Sequence, residues 1–244
     1  MTNSSTDVPR WLCLLLYVCT IVAVPIIIIS GVVIIAFNND TIYETGFIRY
    51  QIPDRTGISP DHLSIVSSEL QGYFNDNEKF LSITTFIDGE PTELFNEREI
   101  EHMKDVKDLV QAIYWIFTIS GLYLAITSII SILPRYAYWK LILQLLFYGS
   151  LLTIGIITLF GLAALSGFDD LFLKFHQLSF SNDLWQLDPR TDYLIMMFPT
   201  EFWFDSAIEV ALTALYGAAI ITSLTGSFFV YNKLMSKYHG THRN

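Results

Sequence analysis

Four apolar runs, at residues 11–37, 109–133, 141–166 and 207–231, constrain this chain more than any other feature. A helix needs roughly 20 residues to cross about 30 Å of hydrocarbon. Inside lipid every backbone N–H and C=O must find its partner within the segment, so runs of this length fold as helices. The expectation is a mainly α integral membrane protein with four transmembrane helices at those positions. The first run is too long for a signal-peptide core and has no small-x-small cleavage site, so it counts as a span. Pro25 is expected to bend it.

The spans leave residues 1–10, 134–140 and 232–244 on one side, and 38–108 and 167–206 on the other. The first side holds six Lys and Arg in 30 positions: Arg10, Arg135, Lys140, Lys233, Lys237 and Arg243. The second holds eight in 111 positions. The denser side is expected to be cytoplasmic, with both termini there. The outer segments carry 22 acidic residues and no cysteine, which leaves no disulfide framework or Cys-based zinc site outside the membrane. Cys13 and Cys19 lie in the first span; Val18 is too large for a lipoprotein-type cleavage before Cys19. A net charge of −10 argues against a nucleic-acid partner.

The outer segments are expected to build a small α+β extracytoplasmic cap. Ser59 and Pro60 read as the N-cap and first position of a helix carrying Leu63, Val66, Leu70 and Phe74 at helical spacing. Residues 80–87 and 92–95 read as strands around an Asp88-Gly89 hairpin turn. Asn96 caps a helix with Glu97 and Glu99 in its first turn, and no breaker interrupts it before residue 133. Segment 167–206 is dense in aromatics, among them Phe168, Phe172, Phe175, Phe180, Trp185, Phe198, Phe202 and Trp203. These suit an interfacial belt, or the site of a lipid-tailed substrate.

Two histidines are candidates for chemistry. His102 shares a helix face with Arg98, Glu99 and Asp105; His176 follows the third span. Each can mark the membrane interface or move a proton near neutrality. A metal site from both plus a carboxylate lacks a ligand motif such as HExxH. His62, His239 and His242 read as surface residues. There is no GxSxG, Walker or dinucleotide glycine motif. Glu209 is the only ionisable residue within the spans, which disfavours a permease.

Residues 94–106, Leu-Phe-Asn-Glu-Arg-Glu-Ile-Glu-His-Met-Lys-Asp-Val, resemble the bacterial lipoprotein intramolecular transacylase (Lit) family. So do Phe175-His176, residues 180–192, Met197-Phe198-Pro199 and Phe204-Asp205, with a weaker match at Thr56-Gly57-Ile58-Ser59. The family pattern has Glu directly after the proline, whereas Thr200 here precedes Glu201. The resemblance implies four spans under an extracellular cap, with two histidines at the cap–membrane boundary, His102 and His176. It implies transfer of the sn-2 acyl chain of a diacylglyceryl-modified lipoprotein to the α-amino group of its N-terminal cysteine, in a bacterial cell membrane. Diacylglyceryl lipoproteins and membrane lipid are the implied partners, and no cofactor or metal is called for.

On that reading His102 is the base, held by Asp105 or a neighbouring acid. His176 is the acid or oxyanion donor, and Asn182 or a backbone N–H steadies the tetrahedral oxygen. Phe180, Trp185 and Phe198 would line the acyl channel. Asn96, Arg98, Asp183, Asp188 and Asp192 would support the cap. The competing reading is a non-enzymatic four-span scaffold or chaperone that presents its cap to partner proteins.

Overall fold

The computed structural model describes residues 9–133 and 138–241. Arg135, His242 and Arg243 lie outside the described residues, as do the side chains of 236–241, including Lys237 and His239. The chain is mainly helical, in the order α1 (Arg10–Phe37), α2 (Asp40–Arg49), α3 (Ile52–Thr56), α4 (Pro60–Asn75), β1 (Thr84–Ile87), β2 (Glu90–Glu93), α5 (Glu97–Ile132), α6 (Trp139–Ser166), α7 (Phe168–Ser179), α8 (Tyr193–Met197) and α9 (Thr200–Thr241). Helices α1, α5, α6 and α9 are long and apolar enough to cross a membrane, and the chain is a membrane protein. It divides into two compact units.

The first unit takes in Met1–Ser30, Ile116–Leu159 and Leu212–Asn244. Lipid supplies no hydrophobic drive between helices, so small residues and hydroxyls must let backbones approach. Ser150, Thr153, Ala214 and Ala218 are fully buried here. Thr222 donates to Ser150 Oγ at 2.9 Å, and the Tyr123 hydroxyl donates to the Leu16 carbonyl at 3.0 Å. A Cβ on Gly149 would stand 2.6 Å from Val24 Cβ and 2.9 Å from the Ile21 carbonyl oxygen, so only glycine admits that approach.

The second unit takes in Gly31–Trp115 and Phe160–Ala211. Its core gathers Ile52, Ile58, Leu63, Leu70, Leu94 and Met197, each nearly or fully buried. Helix α4 starts as its sequence demands, with Ser59 Oγ accepting from the His62 N–H and Pro60 in the first turn. In the hairpin, Ile87 pairs with Glu90, and Asp88 and Gly89 both have positive φ, the two-residue turn that suits twisted strands. That tight turn starts β2 at Glu90 rather than at residue 92. Residues 80–83 are not strand, although the Leu94 N–H reaches the Ile83 carbonyl at 2.9 Å. Helices α2, α3, α7 and α8 were not anticipated. Helix α2 packs so closely on the start of α9 that a Cβ on Gly46 would meet the Phe202 ring at 2.4 Å.

Candidate active site

Helix α5 opens with a reciprocal cap. The Glu99 N–H donates to Asn96 Oδ1 at 3.1 Å, and the Asn96 N–H donates to Glu99 Oε2 at 2.8 Å. Glu99 is almost wholly buried, and its other oxygen accepts from the Leu194 N–H at the start of α8. Burial holds its carboxyl above the usual carboxylate range despite the backbone donors. Asn96 also donates to Asp192 Oδ1, while Asp192 Oδ2 accepts from the Asp188 N–H. Asp188 pairs with Arg190, which pulls its carboxyl well below the usual range. These residues brace the start of α5 against segment 183–194, and none of these hydrogen bonds involves either histidine.

One turn further along α5 lies His102, 6% exposed. Its Nδ1 is buried and has no hydrogen-bond partner. Such an orphan nitrogen costs on the order of 1–3 kcal/mol, a cost that a bound ligand group can relieve. Burial, helped by the nearby His176, lowers the imidazole to a pKa of about 4. Asp105 opposes this weakly.

His176 comes from the last turn of α7, where Phe168, Phe172, Phe175 and His176 fall at helical spacing. Its Nδ1 donates to the Phe172 carbonyl at 2.8 Å. A carbonyl can only accept, so the Nδ1–H tautomer is fixed and Nε2 keeps its lone pair. The ring lies 4.4 Å from Phe172, 5.3 Å from Phe175, 5.7 Å from Phe180 and 5.1 Å from Trp185, centre to centre. Burial lowers its pKa too, against the opposing pull of the Phe172 carbonyl. The two imidazole centres are 6.2 Å apart, and Phe180 packs edge-on to His102 at 5.1 Å.

Asn182 joins this cluster to α5. Its Nδ2 donates to Asp105 Oδ2 at 2.7 Å, its Oδ1 accepts from the Leu184 N–H at 3.0 Å, and its carbonyl accepts from Trp185 Nε1 at 2.8 Å. Arg98 donates to the Asp183 and Leu184 carbonyls. Two expectations are revised by these contacts. Asp105 does not hold His102, because its carboxylate turns to Asn182. Phe198 is 7% exposed in the core, packed on Tyr43, Phe47 and Phe202, which removes it from an acyl channel beside the histidines. Glu201 is exposed in the first turn of α9, where its carbonyl accepts from the Tyr50 hydroxyl.

Composition places Phe172 and Phe175 only in an aromatic segment; their signal as neighbours of His176 is the helical spacing that ends on it. Among the described residues no cluster of three or more His, Cys, Asp or Glu side chains is arranged to hold a metal ion. A groove of about 430 Å³ beside α5 is lined by Phe80, Phe95, Ile100, Glu93, Glu97 and Glu101, and by neither histidine.

A family model described as "Lipoprotein intramolecular transacylase Lit" matches residues 18–203. An uncharacterised protein of Aquifex aeolicus (strain VF5) is 30% identical over 142 residues, 57% of this chain and 61% of that relative's own length. The solved structure of the membrane integral lipoprotein intramolecular transacylase Lit from Bacillus cereus is similar with a TM-score of 0.76 at 23% identity, covering 93% of this chain and 100% of that one. A structure of the same Bacillus cereus protein with a His-to-Arg mutation gives a TM-score of 0.71 at 23% identity, over 93% of this chain and 95% of that one.

Proposed function

Since the chain belongs to the lipoprotein intramolecular transacylase Lit family, we propose that it moves the sn-2 acyl chain of a diacylglyceryl-modified lipoprotein onto the α-amino group of that lipoprotein's N-terminal cysteine. The product is an N-acylated, lyso-form lipoprotein. One observation carries this reading at the level of chemistry: a buried His102 nitrogen without a partner lies beside a second imidazole whose tautomer is fixed, inside an aromatic enclosure.

The attack closes an eight-membered ring, which freezes many torsions. Holding amine and ester together in a confined pocket supplies roughly 7–11 kcal/mol toward that cost. An ester becoming an amide runs downhill, so the reaction calls for no nucleotide, metal or redox cofactor.

The Nδ1–H tautomer of His176 supports a division of roles opposite to the one expected from sequence. The amine attacks in its neutral form, having given its ammonium proton (pKa about 7.7–8.0) to solvent, and His176 Nε2 takes a second proton from that nitrogen as the N–C bond forms. The imidazolium so formed returns that proton to the departing glycerol oxygen, as one histidine does in serine hydrolases. His102 stays neutral and donates from Nδ1–H to the ester carbonyl as it becomes an oxyanion. A neutral imidazole suits that task when its surroundings suppress the charged form. Phe180 and Trp185 cover the acyl ester. Asn96, Arg98, Asp105, Asn182, Asp183, Asp188 and Asp192 support the two rings.

In this reading the spans run over 11–37, 109–133, 141–166 and 207–231. Residues 38–108 and 167–206 form the extracytoplasmic cap of a bacterial cell-membrane protein with cytoplasmic termini. The deciding measurement is mass spectrometry of lipoproteins from a host that makes diacylglyceryl lipoproteins with a free amine. Expression of the chain leaves total mass unchanged while one acyl group moves to nitrogen. His102→Ala and His176→Ala proteins, made at normal levels, each lose that transfer by at least about 10²-fold. An unaltered lipoprotein population with the wild-type chain would hand the case to the scaffold reading.

A further inference from the structure

We infer that Arg98 and Asp105 are positioning residues that clamp the 182–185 turn onto α5, so that Trp185 holds the imidazole of His176 against that of His102. The clamp rests on geometry; its kinetic consequence rests on the acyl-transfer reading above.

Positions 98, 102 and 105 recur at i, i+4 and i+7, one stripe along α5. The outer two members of that stripe both grip the same short turn. Arg98 donates through Nη2 to the Asp183 carbonyl at 2.5 Å and through Nε to the Leu184 carbonyl at 3.3 Å. Asp105 Oδ2 takes the Asn182 amide at 2.7 Å. The middle member is His102, whose spacing from the turn is set from both sides.

The turn is stiffened from within. Asn182 Oδ1 ties down the Leu184 N–H, and the Asn182 carbonyl captures Trp185 Nε1, which leaves the indole few orientations. That indole lies against His176 at 5.1 Å with a 37° tilt. Phe180, two residues before Asn182, touches both imidazoles. Helix α7 alone fixes the His176 tautomer through the Phe172 carbonyl. It cannot fix the distance to a ring on α5. The turn gripped by Arg98 and Asp105 supplies that link.

Asp105 touches no imidazole nitrogen, and its nearest cation, Lys104 Nζ, lies 4.0 Å away. Its work is therefore as an acceptor for Asn182, and a donor–acceptor pair can be turned round. Asp105→Asn keeps an acceptor oxygen and should cost less than about tenfold in acyl transfer. Asn182→Asp sets two carboxylates face to face, expels the turn, and should lower transfer by about 10²-fold, the scale of a 1 Å misplacement. The exchange protein Asp105→Asn/Asn182→Asp restores the hydrogen bond with its direction reversed, and should return to within about tenfold of wild type.

A second readout needs no turnover. A protonated imidazole quenches an adjacent indole, so the emission of Trp185, taken as the difference between each protein and its Trp185→Phe counterpart, falls on acidification when His176 is held beside it. Wild type and the exchange protein should show this fall. Asn182→Asp and Arg98→Ala should lose most of it. An exchange protein as inactive as Asn182→Asp, or an Asn182→Asp protein that keeps the wild-type quench, overturns the clamp. A wild type that quenches normally but transfers no acyl group sinks the acyl-transfer reading and leaves the clamp standing.

Discussion

Burial of His102 beside a second imidazole and the Phe180 ring ties its protonation to the stability of the fold. Its imidazole is lowered from 6.5 to about 4, so between those pH values the unfolded chain binds a proton that the folded chain refuses. Stability from this group is complete above about pH 6.5 and is lost as pH falls toward 4, by at most about 3 kcal/mol. Thermal unfolding in detergent at pH 7 and pH 4.5 measures it. His102→Gln should narrow the gap between the two midpoints, and an unchanged gap would assign the acid sensitivity to His176 or to carboxylates elsewhere. The candidacy of His102 and His176 was legible in the sequence, since few other titratable groups suited neutral chemistry. The division of labour proposed for them was not. It depends on where a main-chain carbonyl of α7 points and on which partner Asp105 prefers, and neither is written in residue spacing.

At the scale of elements, what sequence could announce was whatever has a local cause. The α5 start has its capping pair, the hairpin has Asp88-Gly89, and α4 has Ser59 and Pro60. Helix α2 went unseen although Tyr43, Gly46 and Phe47 carry a helical stripe, because its polar and apolar residues are nearly balanced. Helix α7 was masked by an aromatic composition that also suits an interfacial belt. Gly46 makes the cost of such contacts measurable. The Phe202 ring it faces is hemmed in by Tyr43, Phe198 and Trp203, so it has little room to yield. Gly46→Ala should destabilise the protein by about 1–3 kcal/mol, seen as a lower unfolding midpoint. Adding Phe202→Leu should recover part of the loss; a second substitution that only deepens it would show that the two side chains do not compete for one space.

For the whole molecule, Lys and Arg placement makes a directional prediction. A fluorescent protein fused after the C-terminus should mature and glow, and an alkaline phosphatase inserted at Gly89 should be active. The opposite pattern would invert the proposed topology. The contacts that assemble the site also bridge long stretches of chain: Asp105 and Asn182 are 77 residues apart, and Asn96 and Asp192 are 96 apart. At a synthesis rate of about 5–20 residues per second, Asp105 leaves the ribosome on the order of 4–15 s before Asn182 exists. For that interval one half of the candidate site waits without the other, with α6 being made in between. A ribosome stalled within α6 would leave a chain with His102 made and its partner segment, from His176 to Trp185, still missing.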